Sequence, residues 1–462
     1  MGIFKSLNRE QKEAVGLLQI GTFLEYFDLD LYVNMEVLLD AIFFPKTDPH
    51  TAALLSAFAF CSTFVMRPFG ALLFGYIGDN IGRKTTVIIT TLMMSVSCVV
   101  MANLPTYVQI GIAATWTVTI CRIVQGLSSM GEVMGAMVYM TEITKPPAQY
   151  PAVAFINVAA ALGSVAALGV ATLVTTVGFN WRIAFWVGAG IAVVGSIART
   201  RLRETPEFID SFERRRNKIK NNKKHNENDA AKTTEDTILK RNNHLAFFLL
   251  HCGWPLSLYL CYMYFNPILK QDYGYSTEDI IHHNFLLSLI QFSTWLFLAV
   301  LSFRIHPLKI MKTIGVVFLF ITIFLPFLIA YRTNHFYLFA LQAMLMIFSI
   351  VSFPGVPIFI KNFPVLKRVM ATSVLYSLSR AVVYVFTSFG LVYLSEVFGH
   401  YGLWIVMLPI TIGFLWGVKH FEVVEGICTP KISSLFGFKY APVEVLPNPQ
   451  QESKVVEDKK FA

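Results

Sequence analysis

Charge is scarce in this chain. Acidic and basic side chains make up only 15% of its 462 residues against 55% hydrophobic, and mean hydropathy is +0.56. A soluble domain has no use for so much apolar surface, whereas a chain solvated by lipid does. Cysteine is sparse too, with six copies in no metal-ligand spacing, so neither a disulfide framework nor a metal centre is expected. A phosphate-cradling GxxxxGK[ST] is missing, which removes ATP as the direct energy source, and no HExxH or GxSxG suggests a hydrolase. The expectation is a protein that is not an enzyme and carries no cofactor.

Long apolar runs are abundant. They recur at approximately 14–33, 52–76, 85–103, 108–140, 152–177, 183–199, 245–269, 284–303, 312–331, 335–360, 370–395 and 400–418, each long enough to cross about 30 Å of hydrocarbon as a helix. This is an all-α integral membrane protein with twelve expected transmembrane helices. The apolar pattern breaks once, at ERRRNKIKNNKKHNENDAAKTTEDTILKRNN, whose composition cannot bury a core. Four regions follow: a six-helix half over 1–199, a basic linker over 200–243, a second six-helix half over 244–418 and a tail over 419–462. Six crossings on each side suggest two pseudo-symmetric halves, as in many secondary transporters.

Lysine and arginine orient the chain, since cytoplasmic loops hold their excess. One side collects Lys5, Arg9, Lys12, Arg83, Lys84, Lys145, the linker cluster, Arg304, Lys309, Lys312, Lys361, Lys367 and Arg368, while the other offers Lys46, Arg182, Lys270 and Arg332. Both termini are therefore expected in the cytoplasm. The formal net charge of +9 is explained by this topology and needs no nucleic-acid partner. The polar N-terminus and full-length first span argue against a cleavable signal peptide. The tail contains Pro430, Pro442, Pro447 and Pro449 and no heptads, which argues against a coiled coil.

Ionisable residues inside the apolar runs mark function, because each is costly in lipid unless it faces protein or water. Glu25, Asp28 and Asp30 lie in the first span, Arg67 in the second, Arg122 and Glu132 in the fourth, His251 in the seventh and Arg380 in the eleventh. At 1.5 Å per residue, Glu25, Arg67, Glu132 and Arg380 all fall about 15–18 Å from the inner ends of their helices. Glu25, Asp28 and Tyr32 follow i, i+3, i+7 spacing and share a face, whereas Asp30 points elsewhere. The carboxylate pair is a site for a coupling proton, or else a set of static ion pairs that fixes packing. Arg67, Tyr32, Glu132, Arg380 and Tyr262 are the substrate-binding candidates. His251 is either a proton relay or a satisfied core histidine.

Between the second and third runs the chain reads GYIGDNIGRK, residues 75–84. The pattern GxxxDxxGRK resembles the signature loop of the major facilitator superfamily, and FVMRPFGALLFGYIGDNIGRKTT resembles its metabolite:proton symporter branch. GTFLEYFDLDLY, RIVQGLSSMGEVMGAMVYMTE, NWRIAFWVG and RLRETPEF resemble further segments of that branch, as do YLCYMYFNP and FPVLKRVMATS more faintly. Two departures stand out. Asn80 occupies a position where the family usually has a cation, and the second-half counterpart of the loop, SFRIHPLKIMK, has lost its Gly and Asp.

The resemblance implies the major facilitator fold and a cytoplasmic gate made by Gly75, Asp79, Gly82, Arg83, Lys84 and Glu142. It associates Arg122 with proton coupling beside Glu25 and Asp28, the alternative for Arg122 being to hold a substrate carboxylate. The implied activity is proton symport of a small zwitterion such as proline or glycine betaine. The alternatives are an organic acid of the 2-oxoglutarate, citrate or shikimate type, or a sensor that binds without transporting. Protons would be the coupling ion. A monomer in a bacterial inner membrane is expected.

Overall fold

The structure, a computed structural model, describes residues 8–43, 49–177, 180–200, 204–205, 208–214, 233–331 and 334–427. Among them every regular element is helical. The first half comprises α1 (Arg9–Phe43), α2 (Pro49–Asn80), α3 (Arg83–Asn103), α4 (Ile112–Ile143), α5 (Gln149–Val177) and α6 (Trp181–Arg199). In the second, α7 runs through consecutive segments Thr233–His251, Gly253–Leu258, Tyr259–Tyr264 and Phe265–Tyr273. Then come α8 (Thr277–Leu301), α9 (Pro307–Ala330), α10 (His335–Ile347 and Val356–Lys361), α11 (Arg368–Val385, continuing to Phe398) and α12 (Gly402–Val424). Residues 215–232 of the expected linker and the tail from 428 lie outside the described residues, and α7 is already helical from Thr233.

Among the described residues seven helical stretches are long and apolar enough to cross a bilayer by length and composition; α1, α2, α4, α6 and the two-piece α10 complete the twelve of the fold. Their outer faces carry Leu72, Leu73, Phe297, Phe320, Phe324 and Phe327, all exposed, a continuous apolar surface that water would not tolerate. Several hydroxyls within the spans are satisfied locally. Thr86, Thr90, Thr91 and Ser95 of α3 each donate to the carbonyl four residues back, so they are buried in the span without an orphaned donor.

Helix ends and breaks follow the local sequence. Ser276 caps α8, its hydroxyl accepting from Asp279 N while the Asp279 carboxylate accepts from Ser276 N at 2.9 Å. Asn334 caps α10 by accepting from Tyr337 N at 2.8 Å. Pro354 falls in the interruption of α10 and Pro357 in the first turn of its second piece, where a missing N–H and a ring clash prevent a continuous helix. Pro267 similarly clashes with the carbonyl four residues earlier, and the preceding turn widens into the π-helical Tyr259–Tyr264.

Packing places a cavity between the halves. Within the first half α1 packs on α5, α2 on α4 and α3 on α6; within the second α9 and α7 pack on α12. Across the halves the main contacts are α2 with α11 and α5 with α8. A twofold relation that exchanges the halves converts the first of these pairs into the second, as pseudo-symmetry requires.

Candidate functional site

At one end of the bundle the halves are latched together. Asp79, at the end of α2, accepts hydrogen bonds from Val369 N at 3.1 Å and Met370 N at 2.9 Å, two backbone donors in the first turn of α11. Those N–H groups have no intrahelical acceptor, and the helix dipole favours a carboxylate there. Arg83 Nη1 lies 3.2 Å from Asp79, while its Nη2 reaches Glu142 at 3.3 Å and the Val365 carbonyl at 2.6 Å. Arg368 from the second half meets the same Glu142 oxygen at 3.0 Å, and Thr205 donates to the other at 2.6 Å. The network that looked one cation short at Asn80 receives its second arginine from α11.

The glycines of the signature loop have separate reasons. A Cβ on Gly75 would stand 2.6 Å from the Met370 Cα, so glycine permits α2 and α11 to touch. Gly82 has φ +145, open to glycine and strained for other residues, and a Cβ there would also strike the Glu204 carboxylate. That carboxylate accepts from Arg83 N at 3.0 Å and Lys84 N at 3.2 Å. Gly75, Asp79, Gly82, Arg83 and Glu142 thus converge, whereas Lys84 joins through its backbone N–H. Glu204, Thr205 and Arg368 belong to the latch without having been assigned to it, although the first two sit in RLRETPEF and the third in FPVLKRVMATS.

In the second half, the SFRIHP turn brings His306 edge-on to Tyr150 of α5, ring centroids 6.0 Å apart. Burial, with Lys309 nearby, holds the His306 imidazole below its usual range, so this turn carries a neutral ring where the first half has a carboxylate.

Twelve residues up α2 from Asp79, about 18 Å by helical rise, lies Arg67; eleven up α11 from Val369 lies Arg380. Both are buried, at 1% and 6% exposure, and both line one pocket with Tyr26, Asp30, Phe64 and Tyr384. Arg67 approaches Glu25 at 3.9 Å and lies over the Phe64 ring at 4.8 Å. Arg380 lies over the Tyr376 ring at 4.2 Å and donates to that residue's hydroxyl, and its Nε has no hydrogen-bond partner among the described residues.

A larger cavity of about 300 Å³ shares Tyr26, Asp30 and Trp254 with this pocket and extends to Lys270 and Ile281, at the end of the bundle opposite the latch. Tyr262 lines it and donates to Gln291 at 3.0 Å. Trp254 and Trp295 meet edge to face at 4.6 Å on its wall. Glu25, Arg67, Arg380 and Tyr262 are therefore brought to one region. The side chains of Tyr32 and Glu132 lie outside the described residues.

On α1, Asp30 points elsewhere than Asp28, as the spacing implies: with Tyr26, one turn before it, Asp30 faces the cavity, hydrogen-bonded to Ser164. Asp28 turns into the first half instead. It accepts from the Cys98 thiol of α3 at 3.4 Å and interacts electrostatically with Arg122 of α4. Arg122 also donates to Gln125 at 3.1 Å. The carboxylates of α1 thus serve three directions, towards Arg67, towards Arg122 and towards the cavity.

The Major Facilitator Superfamily pattern matches residues 19–387. The chain belongs to this superfamily. Membership of the Major Facilitator Superfamily places it among membrane transport proteins rather than enzymes. The inner membrane metabolite transport protein YhjE of Escherichia coli K12 is 35% identical over 213 residues, covering 44% of this chain and 48% of that protein. The proline/betaine transporter of the same strain is 30% identical over 212 residues, covering 44% and 42%. The chain spans about half the length of the curated relatives it matches. The proton:xylose symporter XylE superposes with a TM-score of 0.69 at 15% identity, covering 90% of this chain and 99% of that one. For the human organic anion transporter MFSD10 the TM-score is 0.61 at 16% identity, with coverage of 90% and 100%. At such identity the likeness shows the fold alone.

Proposed function

We propose that this protein is a proton-coupled secondary transporter that imports a small carboxylated zwitterion of the proline or glycine betaine type across a bacterial inner membrane. The latched end faces the cytoplasm, as do both termini, and the cavity is reached from outside. The observation that carries the substrate class is the charge balance at the centre. Arg67 and Arg380 stand against Glu25 and Asp30, so a solute with one charge of each sign enters without leaving an excess. Arg380 presents a planar donor fork to a carboxylate. Tyr26, Trp254 and Trp295 supply ring faces for an ammonium or quaternary ammonium group, each such contact contributing about 0.5–2 kcal/mol.

An organic acid is the second reading. It is favoured by the same two arginines, one from each half, which would clamp a dicarboxylate if Glu25 and Asp30 carried protons. Uptake by purified protein in liposomes separates the two. Labelled proline, glycine betaine, 2-oxoglutarate and citrate are compared with and without an inward proton gradient, and gradient-driven accumulation of a zwitterion is expected. Accumulation of an acid alone would select the second reading; binding without gradient-driven accumulation of any would leave a sensor.

Coupling resides in the first half, where Asp28 faces Arg122 and Glu25 faces Arg67. A proton taken by either carboxylate releases its arginine, and the freed charge changes how the half packs on its neighbour, a bistable arrangement suited to alternating access. Asp28→Asn and Glu25→Gln should each abolish proton-driven accumulation while retaining exchange of internal for external solute. Unchanged accumulation in both variants would remove this role.

A further inference from the structure

A second, smaller chamber of about 20 Å³ shares Trp254 and Arg380 with the central site and is lined also by Asn157, His251, Trp295 and Tyr376. Its volume exceeds the roughly 10–15 Å³ that one water-sized group requires. Four of its lining residues hold a covered polar atom with no hydrogen-bond partner among the described residues: Asn157 Nδ2, His251 Nε2, Trp295 Nε1 and Arg380 Nε. Buried polar atoms are seldom left unsatisfied, and four around one chamber point to a polar occupant.

The hydrogens define that occupant. The indole and guanidinium nitrogens donate only, and the Asn157 amide adds a further donor. His251 Nδ1 lies 2.8 Å from the Phe247 carbonyl, so this nitrogen carries a hydrogen and Nε2 of the neutral ring presents a lone pair. An anionic oxygen in the chamber accepts from Arg380 and Trp295 but is repelled by that lone pair. A proton on Nε2 turns the repulsion into a charge-assisted hydrogen bond.

We propose that this chamber is the subsite for one carboxylate oxygen of the transported solute, and that filling it loads a proton onto His251 Nε2. This rests on the reading of a carboxylated substrate given above. The proton is delivered by hydronium from the water of the larger cavity: its O–H bond breaks and leaves a water molecule, the Nε2–H bond forms, and the solute remains a carboxylate. Arg380 and Tyr376 of α11 are the charged and titratable groups that face the ring. Asn157 from α5, Trp295 from α8, Met137 from α4, and Ser352 and Phe353 from the break in α10 are neutral. An imidazolium beside Arg380 alone is disfavoured; a carboxylate placed with both relieves the repulsion. Solute and proton therefore promote each other's binding by the same factor.

The test uses the full-length protein in lipid nanodiscs, with proline and glycine betaine as probes. Protons taken up per solute are counted by calorimetry in two buffers of different ionisation enthalpy. His251→Gln is expected to take up one proton fewer than the parent protein while still binding solute. Trp295→Phe, which removes the indole donor and keeps an aromatic ring, is expected to bind about tenfold more weakly with its proton count unchanged. An unchanged proton count in a solute-binding His251→Gln overturns the proposal. If that variant does not fold, Trp295→Phe decides, and unchanged affinity overturns it. Failure of the parent to bind either probe or 2-oxoglutarate would overturn the substrate reading and this proposal with it, whereas a binding parent with unaltered variants overturns this proposal alone.

Discussion

Arg380→Lys should lower the initial rate of solute uptake by about 100-fold or more, the loss of two charge-assisted hydrogen bonds of roughly 1.5–3 kcal/mol each. Charge is conserved in this substitution, so the effect tests geometry. The guanidinium carbon lies over the Tyr376 ring at 4.2 Å from its centroid and the group is tied to that residue's hydroxyl, while its Nε has no hydrogen-bond partner among the described residues. A lysine ammonium has neither the plane to stack nor the fork to grip a carboxylate in two places. The loss should fall on binding as well as turnover, because in the proposed site Arg380 is a direct contact of the solute. Measured with labelled proline and glycine betaine in liposomes, near-parental uptake would mean that Arg380 is only a packing cation and that Arg67 anchors the solute.

The two features behind that prediction differ in how visible they were in the sequence. The spans were legible because lipid imposes an uninterrupted apolar run on each of them, and the signature loop because GYIGDNIGRK compresses a gate into ten adjacent positions. Arg380 and Arg67 were legible as charges in apolar runs. That Asp30 leaves the stripe of Glu25 and Asp28 was legible, but spacing within α1 fixes which residues share a stripe without saying which stripe faces the centre. That choice is made by α5, whose Gly163 leaves no room for a Cβ against the Phe23 carbonyl and so sets the rotation of α1.

Convergence over long separations was likewise hidden. Glu142 and Arg368 are 226 residues apart and 3.0 Å from each other, and no local pattern pairs them. Trp254, Trp295, Tyr376 and Tyr384 were hidden for the opposite reason. With 40 phenylalanines and 18 tyrosines in the chain, aromatic residues carry little positional information until packing selects the few that line a cavity. His251 was visible as an intramembrane histidine, but the lone pair it turns towards Asn157 and Trp295 depends on three helices meeting.

Gly75→Ala should hold the latched end open. A single methyl is a small change, yet its carbon would sit 2.6 Å from the Met370 Cα, and the obstacle is backbone rather than a rotatable side chain. To admit it α2 and α11 must separate, which lengthens the two bonds from Val369 N and Met370 N to Asp79 and draws Arg368 from Glu142. These interactions act together across a moving interface, so weakening one weakens the rest. The first-half ion pair between Arg83 and Glu142 need not break, so the half itself should remain folded. Spin labels on Ile81→Cys and Lys367→Cys, one exposed position from each half, should report a longer distance in Gly75→Ala, and uptake from outside should fall because the outward-facing state is depopulated. The same distance in both proteins would show that the contact at Gly75 can be relieved without opening, and would shift control of the latch to the charges around Glu142.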